Sequence, residues 1–578
     1  MAKFCITNIE DSFLKTKVLY QEAGFEISYE NAGAGFKALA AKKMFQSLAN
    51  NYAEAGSDFV IATGSLIYNE SLDYSYFLHT EVDVANARAN SIGHYAVSVK
   101  KNNVITVWGD SVATYDIFYY NKDGEYMVSN SLYDMAKALG ERLSVNEINV
   151  LEEVYQCSIL GGGTFYNEIS RLHGEEYLSI SISENTLSVI PVTVEYPYIA
   201  DKDYDNAVRD FANSLKKRAS VIYKIFGTPT ICMTAGLDAR ISLAAYMSCG
   251  ARPILTYGVG NSALTNTKMD DLYIDRQFKD ELGLQLVEGD WTTPILIDKY
   301  WNHYTNKYGF FSRAYAASNK VMDFLENSKG NVLTFGYGGE LYRNLPWIEN
   351  NKKGYFAVDE YLNNHYYNTI FRKRLVECVP SYHEQIKNST LKLCKKYHLD
   401  SNHIANRDNV LLQLEYRKFA DVIMMNFVNQ MKYSFLLLFE YDSVKFARIS
   451  VEKMNKSRFM LDVIMQLYPR VLDIPVFSHC KKRIFNKTNM ELNYTTQDTY
   501  KSFISPFTPA FVKTIYRYLF SHKKKDKDSA MANIIYRFVL QHKNEIPYFT
   551  NNEIKEYGGD YLIKYIFTKR ILDKSLQS

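Results

Sequence analysis

The chain has 578 residues, 47% of them hydrophobic and 23% charged, with a net charge of +3. That length exceeds one ordinary domain, and the composition supports a sizeable packed core and argues against global disorder. A charge this close to neutral disfavours a nucleic-acid partner.

The N-terminal segment "MAKFCITNIEDS" has no apolar signal-peptide core. From there to about residue 190 the chain reads as β-rich. Alternating, turn-punctuated runs occur at 58–72, 94–110 and 117–131, with "KDG" at 122–124 placed as a hairpin loop. The glycine-rich "GGGTFYNEISRLHGEEYLSISI" at 161–182 predicts a turn and then a strand pair. The character changes after 192–207. A helix is predicted over 204–225, then a strand at 228–234, a helix at 238–250 and a strand at 253–260. The next helix, 269–283, carries Ile274, Phe278 and Leu282 at four-residue spacing and stops at Gly283; a strand follows at 284–290. This alternation predicts an open parallel sheet. Beyond about 355 the chain reads as almost entirely helical. "SFLLLF" at 434–439 is too short to span a bilayer, and "HKKKDKDS" at 522–529 reads as a solvated basic loop. The seven cysteines are odd in number and show no CxxC spacing, against a zinc site or a disulfide framework. The expectation is a soluble, cytoplasmic protein with no membrane insertion and no nucleic-acid partner; a homodimer is left open.

Two stretches carry the chemistry. "TICMTAGLDAR" (230–240) runs a strand into a turn and a helix start, at the end of a parallel strand where ligands bind. The helix N-terminus offers free amides and partial positive charge to a pyrophosphate. Thr234 adds a hydroxyl, Gly236 lets the backbone approach, Asp238 can hold Mg²⁺, and Arg240 adds a cation. Asp238 also suits an ordinary first-turn acid, and Gly236 an ordinary turn. No GK[ST] follows, so this is not a Walker loop. "NVLTFGYGGELYRN" (331–344) repeats the pattern: a short strand, then Gly336, Tyr337, Gly338, Gly339 and Glu340.

Taken together the two loops resemble the asparagine synthetase/β-lactam synthetase superfamily. TAGLDAR corresponds to that family's SGGLDS pyrophosphate loop and GYGGE to its GxGxD loop. "TYGVG" (256–260) corresponds to its second strand, while "GSLIYNE" (64–70) and "GDSVATYDIFYY" (109–120) are similar to segments of its N-terminal glutaminase-like domain. The resemblance implies an α/β protein with an Ntn-type β-sandwich-with-helices domain at 1–190. It also implies a PP-loop, adenine nucleotide alpha hydrolase-like domain at 204–578, its sheet core at about 228–345. ATP and Mg²⁺ are the implied cofactors. Thr234, Ala235, Gly236, Leu237, Asp238, Ala239, Thr256, Tyr257, Gly258, Gly336 and Gly338 would bind the nucleotide. Asp238 and Glu340 would hold the metal, and Arg240 would stabilise pyrophosphate. Tyr337 would be the catalytic base, with Glu360 or Glu377 beside it.

Departures matter. Position 2 is Ala and Cys5 lies within the chain, so no glutaminase chemistry is expected from a free N-terminal cysteine. Ala235 and Ala239 replace a glycine and a serine, at a cost if position 235 needs positive φ. Ile474-Pro475 falls where a catalytic lysine pattern is expected, leaving Lys432, Lys456, Lys481 and Lys482 as candidates. The implied activity is ATP-dependent adenylation of a small-molecule or peptide carboxylate and its transfer to ammonia or an amine. Amidation of a sugar acid in surface polysaccharide is one version. A lactam-forming or lasso-peptide-type cyclase and a non-catalytic nucleotide-binding protein are the alternatives.

Overall fold

The computed structural model of the chain describes residues 2–33, 35–45, 51–156, 158–260, 266–291, 331–367, 370–420, 423–478, 481–486, 491–494, 565–566, 568–570, 572–573 and 576. The architecture is mixed α/β, with two antiparallel sheets followed by a parallel one. The basic run at 522–529 lies outside the described residues.

The first half supplies β1 (Lys3–Thr7), α1 (Glu10–Glu22), β2 (Ile27–Asn31), β3 (Lys37–Ala41), β4 (Tyr52–Ala55), β5 (Asp58–Tyr68), α2 (Tyr76–His79), α3 (Val84–Ala89), β6 (Ser91–Lys101), β7 (Val104–Gly109), β8 (Phe118–Lys122), β9 (Glu125–Ser129), α4 (Leu132–Leu139), α5 (Glu147–Gln156), β10 (Ile169–Arg171), β11 (Glu176–Ser181) and β12 (Thr186–Pro191). One sheet runs β10-β8-β9-β1-β3-β2 and the other β12-β11-β7-β6-β5-β4. They stack face to face. Phe4, Ile6 and Val128 of the first sheet meet Phe59, Ile61, Ile105 and Val107 of the second. The alternate residues point outward under helices: Cys5 and Met127 pack with Phe13 and Tyr20 of α1 and Met135 of α4. Val60, Ala62 and Trp108 pack with Phe77 of α2 and Val84 of α3. Side chains alternate along a strand, so each strand here serves two cores at once. The sequence reading missed α1. Its buried residues are Ser12, Phe13, Thr16 and Tyr20, a stripe half polar, so no apolar helical period is present to read.

The second half begins with α6 (Tyr204–Phe226), β13 (Thr230–Cys232), α7 (Leu237–Ser248), β14 (Ile254–Gly260), α8 (Asn266–Leu282), β15 (Gln285–Trp291) and β16 (Val332–Phe335). After a small pair, β17 (Tyr355–Phe356) with β18 (Ile404–Ala405), β19 (Tyr433–Phe435) completes a five-stranded sheet ordered β15-β14-β13-β16-β19. All four pairings are parallel. The fifth strand was not expected, and the tail is not purely helical: β20 (Val476–Ser478), β21 (Lys481–Asn486) and β22 (Glu491–Tyr494) form another antiparallel sheet. Residues 433–435 are buried on both faces, so they show no alternation, and sheet pairing decides their conformation.

α7 is enclosed along its middle turns. Ile241, Leu243, Ala244, Ala245 and Tyr246 are wholly buried, among α6, the sheet and the helix Arg458–Leu467. Burial of Ile241 and Leu243 alone contributes roughly 1.5–3 kcal/mol each. This fixes the helix that follows the central strand. The sandwich is bonded to the edge strand β19: Ser434 N donates to Ser65 Oγ at 2.8 Å, and Leu436 N donates to His94 Nε2 at 2.9 Å.

Candidate functional site

In this sheet the strand order reverses between β13 and β16. Crevices form at such a switch point, beyond the carboxyl ends of the strands. The two glycine-bearing loops leave from those two strand ends, and they touch. A Cβ on Gly336 would lie 2.3 Å from Ala239 N, so the second loop rests directly on the first turn of α7. A Cβ on Gly339 would lie 2.2 Å from the Asp238 carboxyl carbon. Gly338 has φ +92, which a side-chain-bearing residue adopts only with strain. The glycines therefore let one backbone reach the other's helix start and its acid.

The TAGLD loop is tied down from below. Met233 N donates to Thr256 O at 3.0 Å, and Ala235 N donates to Asp271 Oδ1 at 2.8 Å. The Tyr257 hydroxyl donates to the other Asp271 oxygen at 3.1 Å. Asp271, on α8, was not foreseen; its only sequence signal was a pair of acids at 270–271 in a helix. Gly236 is the N-cap of α7 with φ −76 and ψ −178, and no side chain caps the helix. The first-turn amides are thus not satisfied by a capping side chain. Ala235 is not among the residues with positive φ, so the expected penalty for alanine there does not arise.

The loops bring Asp238 and Glu340 together. Arg343 Nη2 lies 3.2 Å from Asp238 Oδ2 and 3.2 Å from Glu340 Oε1. All three side chains are partly exposed, and each such pair is worth about 0.2–1 kcal/mol. Two carboxylates converging on one cation suit Mg²⁺, which takes one or two protein acids and completes its shell with phosphate and water oxygens. Among the described residues no group of three or more His, Cys, Asp or Glu could hold a metal by itself. Arg343 was not foreseen, although an arginine three residues after Glu340 was its visible signal.

Other expected residues lie elsewhere. Arg240 does not face the cleft. It is fully buried, and its guanidinium donates to the carbonyls of Val471 (2.7 Å), Ile474 (2.5 Å) and Pro475 (2.9 Å). It also lies over the Phe278 ring, 4.8 Å from its centre. Burial lowers its pKa to about 9, and burial, then Asp271, raises Asp275 to about 8. The expected pyrophosphate contact by Arg240 is therefore corrected: the position is one turn in, where the helix faces its neighbours. The Thr256 hydroxyl donates to Val287 O at 3.1 Å, inside the sheet and not toward a ligand. Ala235, Leu237 and Ala239 point into the core, so only their backbones remain to touch a nucleotide. Thr234 is exposed, and Gly258 pairs in register with Gly289.

The half-buried Tyr337 ring stacks on Phe335, with centres 5.6 Å apart and planes at 9°. Of its two expected partner acids, Glu360 is committed to Lys353 at 3.0 Å and the Ala357 amide at 3.1 Å, and Glu377 is exposed on the helix Ile370–Cys378. Lys432 precedes β19 and so sits at the amino end of a parallel strand, away from the loops. Lys456 is exposed in a left-handed turn beside Glu349. The side chains of Lys481 and Lys482 lie outside the described residues. Cys5 is buried under α1, and burial raises its thiol pKa to about 12, which leaves no nucleophilic thiolate near neutrality.

No protein-family model matches this sequence, and no curated protein is significantly similar to it. Among solved structures, the chain is similar to glutamine phosphoribosylpyrophosphate amidotransferase from B. subtilis complexed with ADP and GMP. That likeness has 9% identity and a TM-score of 0.25, over 50% of this chain and 65% of that one. A second structure, described as the allosteric regulatory enzyme of purine biosynthesis, is 11% identical with a TM-score of 0.22, over 50% of this chain and 74% of that one. Similarity at this level defines no family for the chain. No helix among the described residues is long and apolar enough to cross a membrane.

Proposed function

We propose that the chain is an ATP-dependent amide-forming enzyme of asparagine synthetase-like type, with an inactive amidotransferase-like domain at 1–190 and a PP-loop synthetase domain at 204–578. The observation that carries this reading is the meeting of the two loops at the switch point, with Gly336 on the first turn of α7 and the Asp238 and Glu340 carboxylates converging. A carboxylate oxygen of the substrate would attack the α-phosphorus of ATP, and pyrophosphate would leave. Ammonia or an amine would then attack the acyl carbon, and AMP would depart with that oxygen. The first-turn amides of α7 and Thr234 would bind the phosphates. Asp238 and Glu340 would hold Mg²⁺, which supplies charge neutralisation at the phosphates. Tyr337 would accept the amine proton. A sugar acid of surface polysaccharide is the favoured acyl donor, and an intramolecular amine would make the product a lactam or cyclic peptide. The setting is cytoplasmic.

A second reading, nucleotide binding without turnover, is favoured by one observation: Arg240 is spent on carbonyls. Carboxylate-dependent ATP–pyrophosphate exchange, with uronic acids and peptide acids as candidates, separates the two. Exchange is expected, and Tyr337→Phe should keep it while slowing amide formation about 10²- to 10⁴-fold. Loss of both in Tyr337→Phe would make the residue a nucleotide-positioning group. Absence of exchange with every acid would favour the non-catalytic reading.

A further inference from the structure

Asp271, half-buried on α8, holds two neighbouring elements at once. One carboxyl oxygen accepts from Ala235 N at 2.8 Å, and the other accepts from the Tyr257 hydroxyl at 3.1 Å. Ala235 lies in the turn between β13 and α7, and Tyr257 lies on β14. Two oxygens bonded to two elements fix the carboxylate in both place and direction. Ala235 is also held from its other end, because its carbonyl accepts from Arg240 Nη2 at 3.4 Å. The residue directly before the N-cap Gly236 is thus clamped through its N–H and its C=O. The Ala235 carbonyl and the Gly236 N–H share one planar peptide and point in opposite directions. A carbonyl turned to the buried Arg240 therefore turns the Gly236 amide the other way. Gly236 has φ −76, so it is not there for a left-handed turn. A Cβ on it would meet, among the described residues and apart from its chain neighbours, only Thr234 Oγ1 at 3.8 Å. The backbone at this helix start is unobstructed, whereas the bare Cα atoms of Gly336 and Gly339 make room for α7.

We propose that Asp271 is a positioning residue for phosphate binding: by clamping Ala235 it turns the Gly236 amide and the first-turn amides of α7 to the polyphosphate of the nucleotide, and Tyr257 holds Asp271 in place for that task. The proposal rests on reading the cleft as a nucleotide site, and it assigns control of phosphate affinity to a residue that acts through the loop. The two ways in which a carboxylate can act here have opposite signs. As a bare negative charge it repels phosphate and weakens binding. As a clamp it pre-organises the amides and strengthens binding.

The test is calorimetric binding of Mg-ATP and of AMP to the full chain, with the melting temperature of each variant measured beside it. Asp271→Ala should weaken Mg-ATP roughly tenfold, the equivalent of one charge-assisted hydrogen bond, while AMP binding changes less than about twofold. Asp271→Asn keeps an acceptor for Ala235 N and can donate to the Tyr257 oxygen, so it should restore most of the Mg-ATP affinity. Tyr257→Phe should weaken Mg-ATP by a smaller factor. Combined with Asp271→Ala it should add no further loss, because it acts through the same carboxylate. Unchanged or tighter Mg-ATP binding by Asp271→Ala would overturn the clamp, and so would a parallel loss of ATP and AMP binding, which marks a merely structural residue. An additive loss in the double variant would place Tyr257 on the nucleotide itself and overturn its part in the clamp. Failure of the wild-type chain to bind Mg-ATP would overturn the cleft reading and this proposal together.

Discussion

Three carbonyls, those of Val471, Ile474 and Pro475, hold the Arg240 guanidinium at 2.5–2.9 Å, and that of Ala235 lies at 3.4 Å. A buried cation with no carboxylate in contact is tolerable because nearly every N–H finds an oxygen and Asp275 lies close enough to favour the charged form. The side chain therefore ties α7 to the turn at 469–475, the region where the resemblance implied a lysine. Arg240→Leu should destabilise the fold by about 3 kcal/mol, because it strands several buried carbonyls. Arg240→Lys, with one charge but no fork, should fall between. Chemical denaturation of both variants checks this, with ATP binding measured below the transition. Normal stability combined with lost ATP binding would return Arg240 to the phosphates. Motif position alone could not separate these roles, since helix residues 238 and 240 differ by 200° in direction and only the packed neighbours say which side is open.

At the scale of elements, much of the parallel sheet was legible. The strands at 230–232, 254–260, 285–291 and 332–335 and the helices α6, α7 and α8 lie within a few residues of where periodicity and turn signals put them. The helices carry their own period, and the short strands β13 and β16 are marked instead by the glycine-bearing turns that follow them. Elements whose existence depends on partners were not legible. β19 has only three residues, and α1 buries a stripe that is half polar. The same division holds in the site. Glycines at 336, 338 and 339 announced a close approach, but not what was approached; that they meet Ala239, Phe439 and Asp238 required the fold. Asp271 and Arg343 were visible only as unremarked charges, because the partners that give them meaning lie 36 and 105 residues away in sequence.

Across the whole molecule, the sandwich and the parallel sheet share a buried polar junction. His94 lies between Thr114, to which Nδ1 bonds, and Leu436 N, which donates to Nε2; Glu440 lies 3.9 Å away, with Asp110 and Arg218 also facing the group. Burial lowers the His94 pKa from 6.5 to about 4 and raises that of Glu440 from 4.5 to about 7. Both are neutral together between those limits, so their proximity is not an ion pair. For His94 the folded pKa is depressed, so its contribution to stability is lost as pH falls from about 6.5 toward 4. For Glu440 the folded pKa is raised, so its contribution is lost as pH rises from about 4.5 toward 7. The two slopes oppose each other near pH 5.5. Glu440→Gln should make stability rise with pH more steeply than wild type there, and His94→Asn should tilt it the other way, each by at most about 1.4 kcal/mol per pH unit. Denaturant titrations across pH 4.5–6.5 measure both, and equal slopes in all three proteins would show that the junction does not titrate. The central claim concerns the switch-point cleft: its two loops bind a magnesium nucleotide. It is tested most directly by calorimetric titration of the full chain with ATP, with and without Mg²⁺, beside Asp238→Asn. The account predicts saturable binding that requires Mg²⁺ and weakens at least about tenfold, 1.4 kcal/mol, in the variant at unchanged melting temperature. Wild-type binding that ignores Mg²⁺ and Asp238, or no binding at all, would contradict it.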